Sequence, residues 1–362
     1  MKQSVKFAAA MGALTLALTA CAGNGNVAQQ SDGAAAELPF KACAVSDTGG
    51  WQDKSFNQSA YDGLMEAKSF LGVTVDTAES DTVEDFTSNV EKMVDDSCTL
   101  IIGVGFHLEP AVHESALKHT DRNYALIDST FSDGTNPVVL ENGRPLLFNT
   151  SEAAYLAGYA SAAMTKTGKV ATFGGAQIPA VTVFMDGFAD GVNAYNQAKG
   201  TSVQVLGWDK ETQTGAFTDS FDDQSLGLQQ AQQFISEGAD IIMPVAGAVG
   251  LGAAAAAKSS GNTLIVGVDT DWYEANPQYS SIVLTSVRKE IGAAVEQAIQ
   301  DSTKGKFTSD PYVGTLANGG VSLAPFHDFE AQVPMEVKQE ISKLTEQIKK
   351  GTLVIESENA PK

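Results

Sequence analysis

The chain has 362 residues, of which 23 are basic and 44 acidic, a formal net charge of −21. Such a surface repels nucleic acid and anionic lipid head groups, and it disfavours a polyanionic ligand unless a local cationic site overrides the field. The length exceeds one compact core and sets an expectation of two lobes.

The first twenty residues read as a secretory signal: Lys2 and Lys6, then the apolar run "FAAAMGALTLALTA", then small residues. Its end, "LTAC", resembles a bacterial lipobox, which implies lipidation of Cys21 as the first mature residue. Loss of Lys2 and Lys6 leaves 21 basic residues against 44 acidic, a net of −23. Residues 22–38, "AGNGNVAQQSDGAAAEL", carry no apolar periodicity and suit a flexible tether. No later run reaches the ~20 apolar residues a membrane helix needs. The expectation is a folded body held at the membrane by lipid on Cys21.

Short apolar runs at 40–45, 72–76, 99–104 and 123–127 alternate with amphipathic stretches. Phe56, Ala60, Leu64 and Ala67 share one helical face, and Ser55 to Gln58 reads as a capping box. A helix is expected near 107–119. This is the rhythm of a parallel α/β sheet. Cys43 falls in the first run and Cys98 just before the third. In a compartment that permits disulfides the leading reading is a bond between them, and two buried thiols are the alternative. Their spacing excludes a CxxC redox or zinc site.

The turn-rich stretch 129–151 is expected to cross between lobes, after which the rhythm restarts. Helices are expected at 152–166, 179–197, 223–237, 249–258 and 287–302, and strands at 168–173, 202–207, 240–245, 263–268 and 281–285. Pro179 suits a first helical turn. The tail holds the β-like "YVGTLANGGVSLAPF" and a last helix near 334–350. The expected division is signal 1–20, lipidated cysteine and linker 21–38, first lobe 39–148 plus about 276–305, second lobe 149–275 plus about 306–330, and a C-terminal helix and tail over 331–362.

In open parallel sheets the carboxyl ends of the strands frame a crevice, and the loops there carry the chemistry. Five stretches fall at such ends. "SDTGGWQDKSFNQSAYDGL" offers Asp47, Asp53, Asn57 and the ring of Phe56, which together suit a neutral heterocycle with polar edges. The residues alone equally admit Asp53 and Asn57 as caps, with Phe56 packed inward. In "YALIDSTF", Asp128 is either a ligand acceptor or a turn residue. In "GGAQIPAVTVFMDGFADGVNAY", Phe188 reads as core, while Phe184 lies nearer the helix start and the crevice. "MPVAGAVGLG" lacks both the dinucleotide spacing and the P-loop lysine, but Gly247 allows close approach of backbone to a ligand. In "VGVDTDWYEANPQYSSIVLTSVRKE", Asp269, Asp271, Trp272 and Lys289 suit a sugar's hydroxyls, or else form surface ion pairs that contribute little.

Enzyme chemistry finds no support. His107, His113 and His119 recur every six residues, about 240° apart on a helix, so they share no face for a metal. Neither G-x-S-x-G nor H-E-x-x-H occurs.

The stretch "VSDTGGWQDKSFNQSAYDGL" resembles the first motif of the basic membrane protein family of bacterial lipoproteins. The likeness runs on through "YALIDSTF", "GGAQIPAVTVFMDGF", "VAGAVGLG", "VGVDTDWY" and "LTSVRKE" to "LAPF", over roughly 40–354. It implies a type I periplasmic-binding-protein fold: α/β, two lobes, each a parallel sheet flanked by helices, with the ligand cleft between them. It also implies a nucleoside ligand, purine favoured, delivered by a monomer to an ABC permease, with no catalysis, cofactor or metal. Phe56 and Phe184 match the aromatic pair that sandwiches the base. Asp47, Asn57 and Asp128 would meet its polar edge, and Asp269, Lys289 and the backbone at Gly247 the ribose. Asp53 matches the motif as a loop residue or a ligand contact. Trp272 stands where a polar residue is expected and would alter the ribose end or the rim. The alternatives are a binding protein or sensor for another small neutral solute, such as a sugar or signalling molecule, or a nucleoside-processing enzyme.

Overall fold

The computed structural model describes residues 40–361. The signal, Cys21 and the tether lie outside them. The elements in chain order are β1 (Lys41–Val45), α1 (Phe56–Leu71), β2 (Thr74–Ala78), α2 (Asp85–Asp95), β3 (Leu100–Val104), α3 (Glu109–Lys118), β4 (Asn123–Ile127) and β5 (Gly143–Phe148). Then come α4 (Ser151–Met164), β6 (Lys169–Gly174), α5 (Pro179–Lys199), β7 (Gln204–Leu206), a small ribbon of β8 (Trp208–Asp209) and β9 (Thr214–Gly215), α6 (Gln224–Ser236), β10 (Ile241–Val245), α7 (Val249–Ser260) and β11 (Leu264–Asp269). The chain ends with α8 (Trp272–Ala275), β12 (Val283–Lys289), α9 (Ile291–Thr303), β13 (Tyr312–Gly314), β14 (Val321–Leu323) and α10 (Met335–Lys349). None of the described helices is long and apolar enough to cross a membrane.

Two sheets result, ordered β13-β5-β4-β3-β1-β2 and β14-β12-β11-β10-β6-β7. All pairings within them are parallel except β12 with β14. The central strands β3 and β10 are buried along their whole length, because helices cover both faces. In the first lobe α1 packs on α9, and in the second α4 packs on α5 and α6 on α7. The α1–α9 contact is close because glycines meet: a Cβ on Gly63 would lie 2.4 Å from the Gly292 Cα.

The lobes divide differently from the sequence expectation. Residues 276–305 were assigned to the first lobe, yet β12 pairs with β11 from Ile265↔Val283 to Asp269↔Arg288 and belongs to the second sheet. Its first five residues are buried, as suits a strand inside a covered sheet. Only α9 returns to the first lobe. Residues 306–330 also split, with β13 joining β5 in the first sheet and β14 joining β12 in the second. The chain therefore crosses after Phe148, after Lys289 and after Gly314. The helix expected from 287 begins at Ile291, so Lys289 is the last residue of a strand, at the boundary between lobes.

Strands β1 and β3 are neighbours, and Cys43 and Cys98 are disulfide-bonded with Cα atoms 5.9 Å apart. The bond closes a loop of 55 residues in sequence separation. Replacing both cysteines by serine is expected to lower the unfolding free energy by about 2–4 kcal/mol. Urea midpoints of the two proteins check this, with ligand affinity unchanged, since neither cysteine lines the cleft described below.

Candidate functional site

The two sheets point their carboxyl ends at each other. The loop after β1 supplies Asp47, Asp53, Phe56 and Asn57; Gly105 and Phe106 follow β3, and Asp128 follows β4. From the other side come Phe184 near the start of α5, Phe221, Gly247 after β10, Asp269 ending β11 and Lys289 ending β12. They line one cavity of about 580 Å³, its open mouth included; the space inside it open to a water molecule is only about 70 Å³, well below the ~300–1,000 Å³ usual for a small-molecule site.

The β1–α1 loop is organised by Asp53. Its carboxylate accepts hydrogen bonds from the backbone N–H of Ser55 at 2.9 Å, Asn57 at 2.8 Å and Gln58 at 3.0 Å, and from the Asn57 side-chain amide at 3.2 Å. Asp53 thus does the capping that the sequence pattern gives to Ser55 and Gln58. A carboxylate outcompetes a hydroxyl here because its bonds are charge-assisted and it has two oxygens to share. Burial pushes the Asp53 carboxyl up to about 6. Asp53→Ala leaves these N–H groups without their acceptor and is expected to cost about 1–2 kcal/mol of stability, checked by the urea midpoint. Ser55, freed from capping, donates its hydroxyl across the cleft to Asp269 at 2.8 Å. Thr270 donates to the Lys54 carbonyl at 3.2 Å. The lobes therefore touch at the mouth of the cleft, in a closed arrangement.

Asn57 is held by its amide nitrogen, which donates to Asp47 at 2.7 Å as well as to Asp53. That fixes the orientation of the amide and turns Oδ1 the other way. This oxygen is buried and has no partner among the described residues. A buried acceptor left unmatched costs about 1–3 kcal/mol, so this oxygen suits an N–H or O–H donor. Burial raises the Asp47 carboxyl above its ordinary value.

Lys289 is the cationic centre of the cleft. Its side chain is 2% exposed, contacts the Asp128 carboxylate directly and lies 3.8 Å from Asp269 Oδ1. Its ammonium sits 4.9 Å from the Phe56 ring centre, 5.2 Å from that of Phe148 and 5.7 Å from that of Phe184. Burial raises the Asp128 carboxyl, and the neighbouring lysine draws it back down. Asp128 and Asp269 both adopt left-handed backbone, φ 64° and 66°. For a non-glycine residue this conformation costs of order 1–3 kcal/mol, and at both strand ends it accompanies a carboxylate that lines the cleft. Gly247, φ 53°, makes the corresponding turn after β10 without a side chain. Four carboxylates against one ammonium suit a ligand rich in N–H and O–H donors and free of negative charge.

Residues 40–358 match the family model described as ABC transporter substrate-binding protein PnrA-like. The chain belongs to this family. Among its relatives, the ABC transporter nucleoside-binding protein BmpA of Lactococcus lactis is 30% identical, over 88% of this chain and 89% of the relative. Basic membrane protein A of Borreliella burgdorferi is 28% identical, over 95% and 93%. Among solved structures, an ABC transporter system solute-binding protein from Aeropyrum pernix superposes with a TM-score of 0.77 at 25% identity, over 87% of this chain and 93% of that one. The fold is the type I periplasmic-binding-protein fold.

Within this PnrA-like framework Asp47, Asp53, Phe56, Asn57, Asp128, Phe184, Gly247, Asp269 and Lys289 share one cavity. Asp271 and Trp272 do not line it. Asp271 caps α8 by accepting from the Tyr273 N–H at 3.1 Å, and it pairs with His327 at 2.8 Å. Trp272 is 1% exposed and packs beneath the strand end, where a Cβ on Gly267 would meet its ring at 2.4 Å. Its indole N–H donates to the Val268 carbonyl at 2.9 Å. Trp272 therefore supports β11 from below, a correction to the expectation that it alters the ribose end or the rim. Phe106, Phe148 and Phe221 stand at or beside the cleft without having been singled out. Phe221 had a signal: it is a lone aromatic inside the acidic loop "TDSFDD".

Proposed function

We propose that this PnrA-like substrate-binding protein captures nucleosides, purines above all, by stacking the base between Phe56 and Phe184, and delivers them to an ABC permease. The observation that carries the reading is a single cleft that brings Asp47, Asn57 and Asp128 together with both phenylalanine rings and leaves the Asn57 oxygen buried without a partner among the described residues. A base presents flat faces to rings and N–H donors to carboxylates and amide oxygens. A ribose presents hydroxyls, for which Asp269, Lys289 and the backbone at Gly247 are the partners. Lys289 now stands against both rings while already in contact with Asp128, so a base entering between them moves its ammonium off the rings and toward Asp269. The nucleoside named for the Lactococcus lactis relative supports the same ligand class.

Lipid on Cys21 would hold the body on the outer face of the membrane, close to the permease. Lobe closure over the ligand would set the docked state. A thermal-shift panel tests the ligand class. Inosine, guanosine, adenosine or uridine at about one hundred times its dissociation constant should add about 2.7 kcal/mol of stability. Ribose and a nucleoside monophosphate should add almost none, the latter because its phosphate meets four carboxylates. Stabilisation by sugars with silence from every nucleoside would overturn the proposal.

A further inference from the structure

A second cavity adjoins the cleft. Phe106, Asp128 and Ala180 stand in the walls of both. On the same measure the second space is about 1110 Å³, its mouth included, larger than the cleft itself. Leu147 and Phe148 line it from the first sheet, and Val183 from α5. The loop after β4 lines it with Ser129 and Thr130, and a further wall is the C-terminal tail, Glu358 to Pro361.

That wall is built in. Ser357 and Asn359 donate to the carboxylate of Asp186, at 2.5 Å and 3.1 Å. Asp186 is fully buried, and the Trp208 indole N–H and the Gln213 amide also donate to it, each at 3.0 Å. Asn359 reaches Gln213 as well, at 2.7 Å. The tail therefore rests on a satisfied polar anchor and closes a chamber that is apolar apart from Ser129, Thr130, Asn359 and two carboxylates, Asp128 and Glu358.

We propose that this chamber is a subsite for an apolar substituent carried on the base, so that nucleosides alkylated on an exocyclic amine bind more tightly than their parents. The inference rests on the nucleoside reading above. Asp128 is the link, because it lines both spaces. An exocyclic amine with one alkyl group keeps one N–H, which is enough to donate to Asp128 while the substituent continues past it. The chamber's aromatic and aliphatic walls then remove that substituent from water. Its two acidic groups exclude a carboxylated or phosphorylated substituent.

Calorimetric titration of the full-length protein with adenosine, guanosine and cytidine, each beside its N-benzyl derivative on the exocyclic amine, tests this. For at least one parent that binds, the benzyl compound should bind roughly tenfold tighter or more, the gain from burying a group of that size. Val183→Phe, which fills the chamber from α5, should remove that gain and leave the parent's affinity within about twofold, a readout that also reports intact folding. Thr130→Trp, in the loop after β4, should do the same. Parents that bind while every benzyl derivative is no tighter would overturn the subsite and leave the nucleoside reading standing. So would a gain that survives both substitutions. If no parent nucleoside binds, the nucleoside reading falls and the subsite falls with it.

Discussion

Phe184→Ala is expected to weaken nucleoside binding by roughly one hundredfold, about 3 kcal/mol. Stacking contributes ~0.5–1.5 kcal/mol beyond burial of the ring face, and burial supplies the rest. Phe184 is 1% exposed, so the substitution also opens space, but one side of the ring already faces a cavity. Phe188, one turn further along α5, is the control. It is fully buried and does not line the cleft. Phe188→Ala should cost ~3–5 kcal/mol of stability and leave affinity within a few-fold. Calorimetry and urea midpoints on both variants separate the roles. A Phe184→Ala protein that keeps its affinity would return Phe184 to the core.

Lys289→Met should abolish measurable binding and make stability depend on pH. The methionine keeps the apolar stem and removes the ammonium, leaving Asp128 and Asp269 buried without their cation. Breaking such a group costs about 3–5 kcal/mol. In the native protein burial already holds the Asp128 carboxyl above its ordinary range, and Lys289 opposes that rise. Without the lysine the rise is larger. The folded state then binds the Asp128 proton more tightly than the unfolded state does, so this group favours folding below the ordinary carboxylate range. That contribution is lost as pH climbs through the raised folded value. The gap between Lys289→Met and the native protein should be widest near pH 8 and narrow toward pH 5. Urea titrations at both values measure it, and a gap independent of pH would contradict the buried-triad account.

Much of this site is legible because its residues sit where strands end. Asp128 and Asp269 each follow an unbroken apolar run, and such a run ending in a carboxylate reads as a strand opening onto a loop. The lobe boundary is harder to read. "SIVLTSVRKE" continues from strand into helix with no glycine or proline between them, so periodicity alone gives 287–289 to the helix. Pairing with β11 gives them to the strand and sets Lys289 in the cleft. The capping pattern at Ser55 misleads for a different reason: Asp53, two residues earlier, offers a better acceptor, and competition between caps is settled by tertiary contacts. Trp272 misleads because a strand end has two sides. The residue after "DTD" turns under the sheet, where Gly267 and Gly250 leave room for an indole, and nothing in the local sequence marks that choice. Phe106 and Phe148 gain their meaning only from the other lobe.

The measurement that bears most directly on the central claim is calorimetric titration of the protein after unfolding and refolding have removed carried-over ligand. Inosine, guanosine, adenosine, uridine, the free bases, ribose and a nucleotide would be compared. Binding between Phe56 and Phe184 predicts saturable one-to-one heats with one or more nucleosides, strongest for a purine, and none with ribose or the nucleotide. Silence from every nucleoside in a refolded, cooperatively unfolding protein would contradict it.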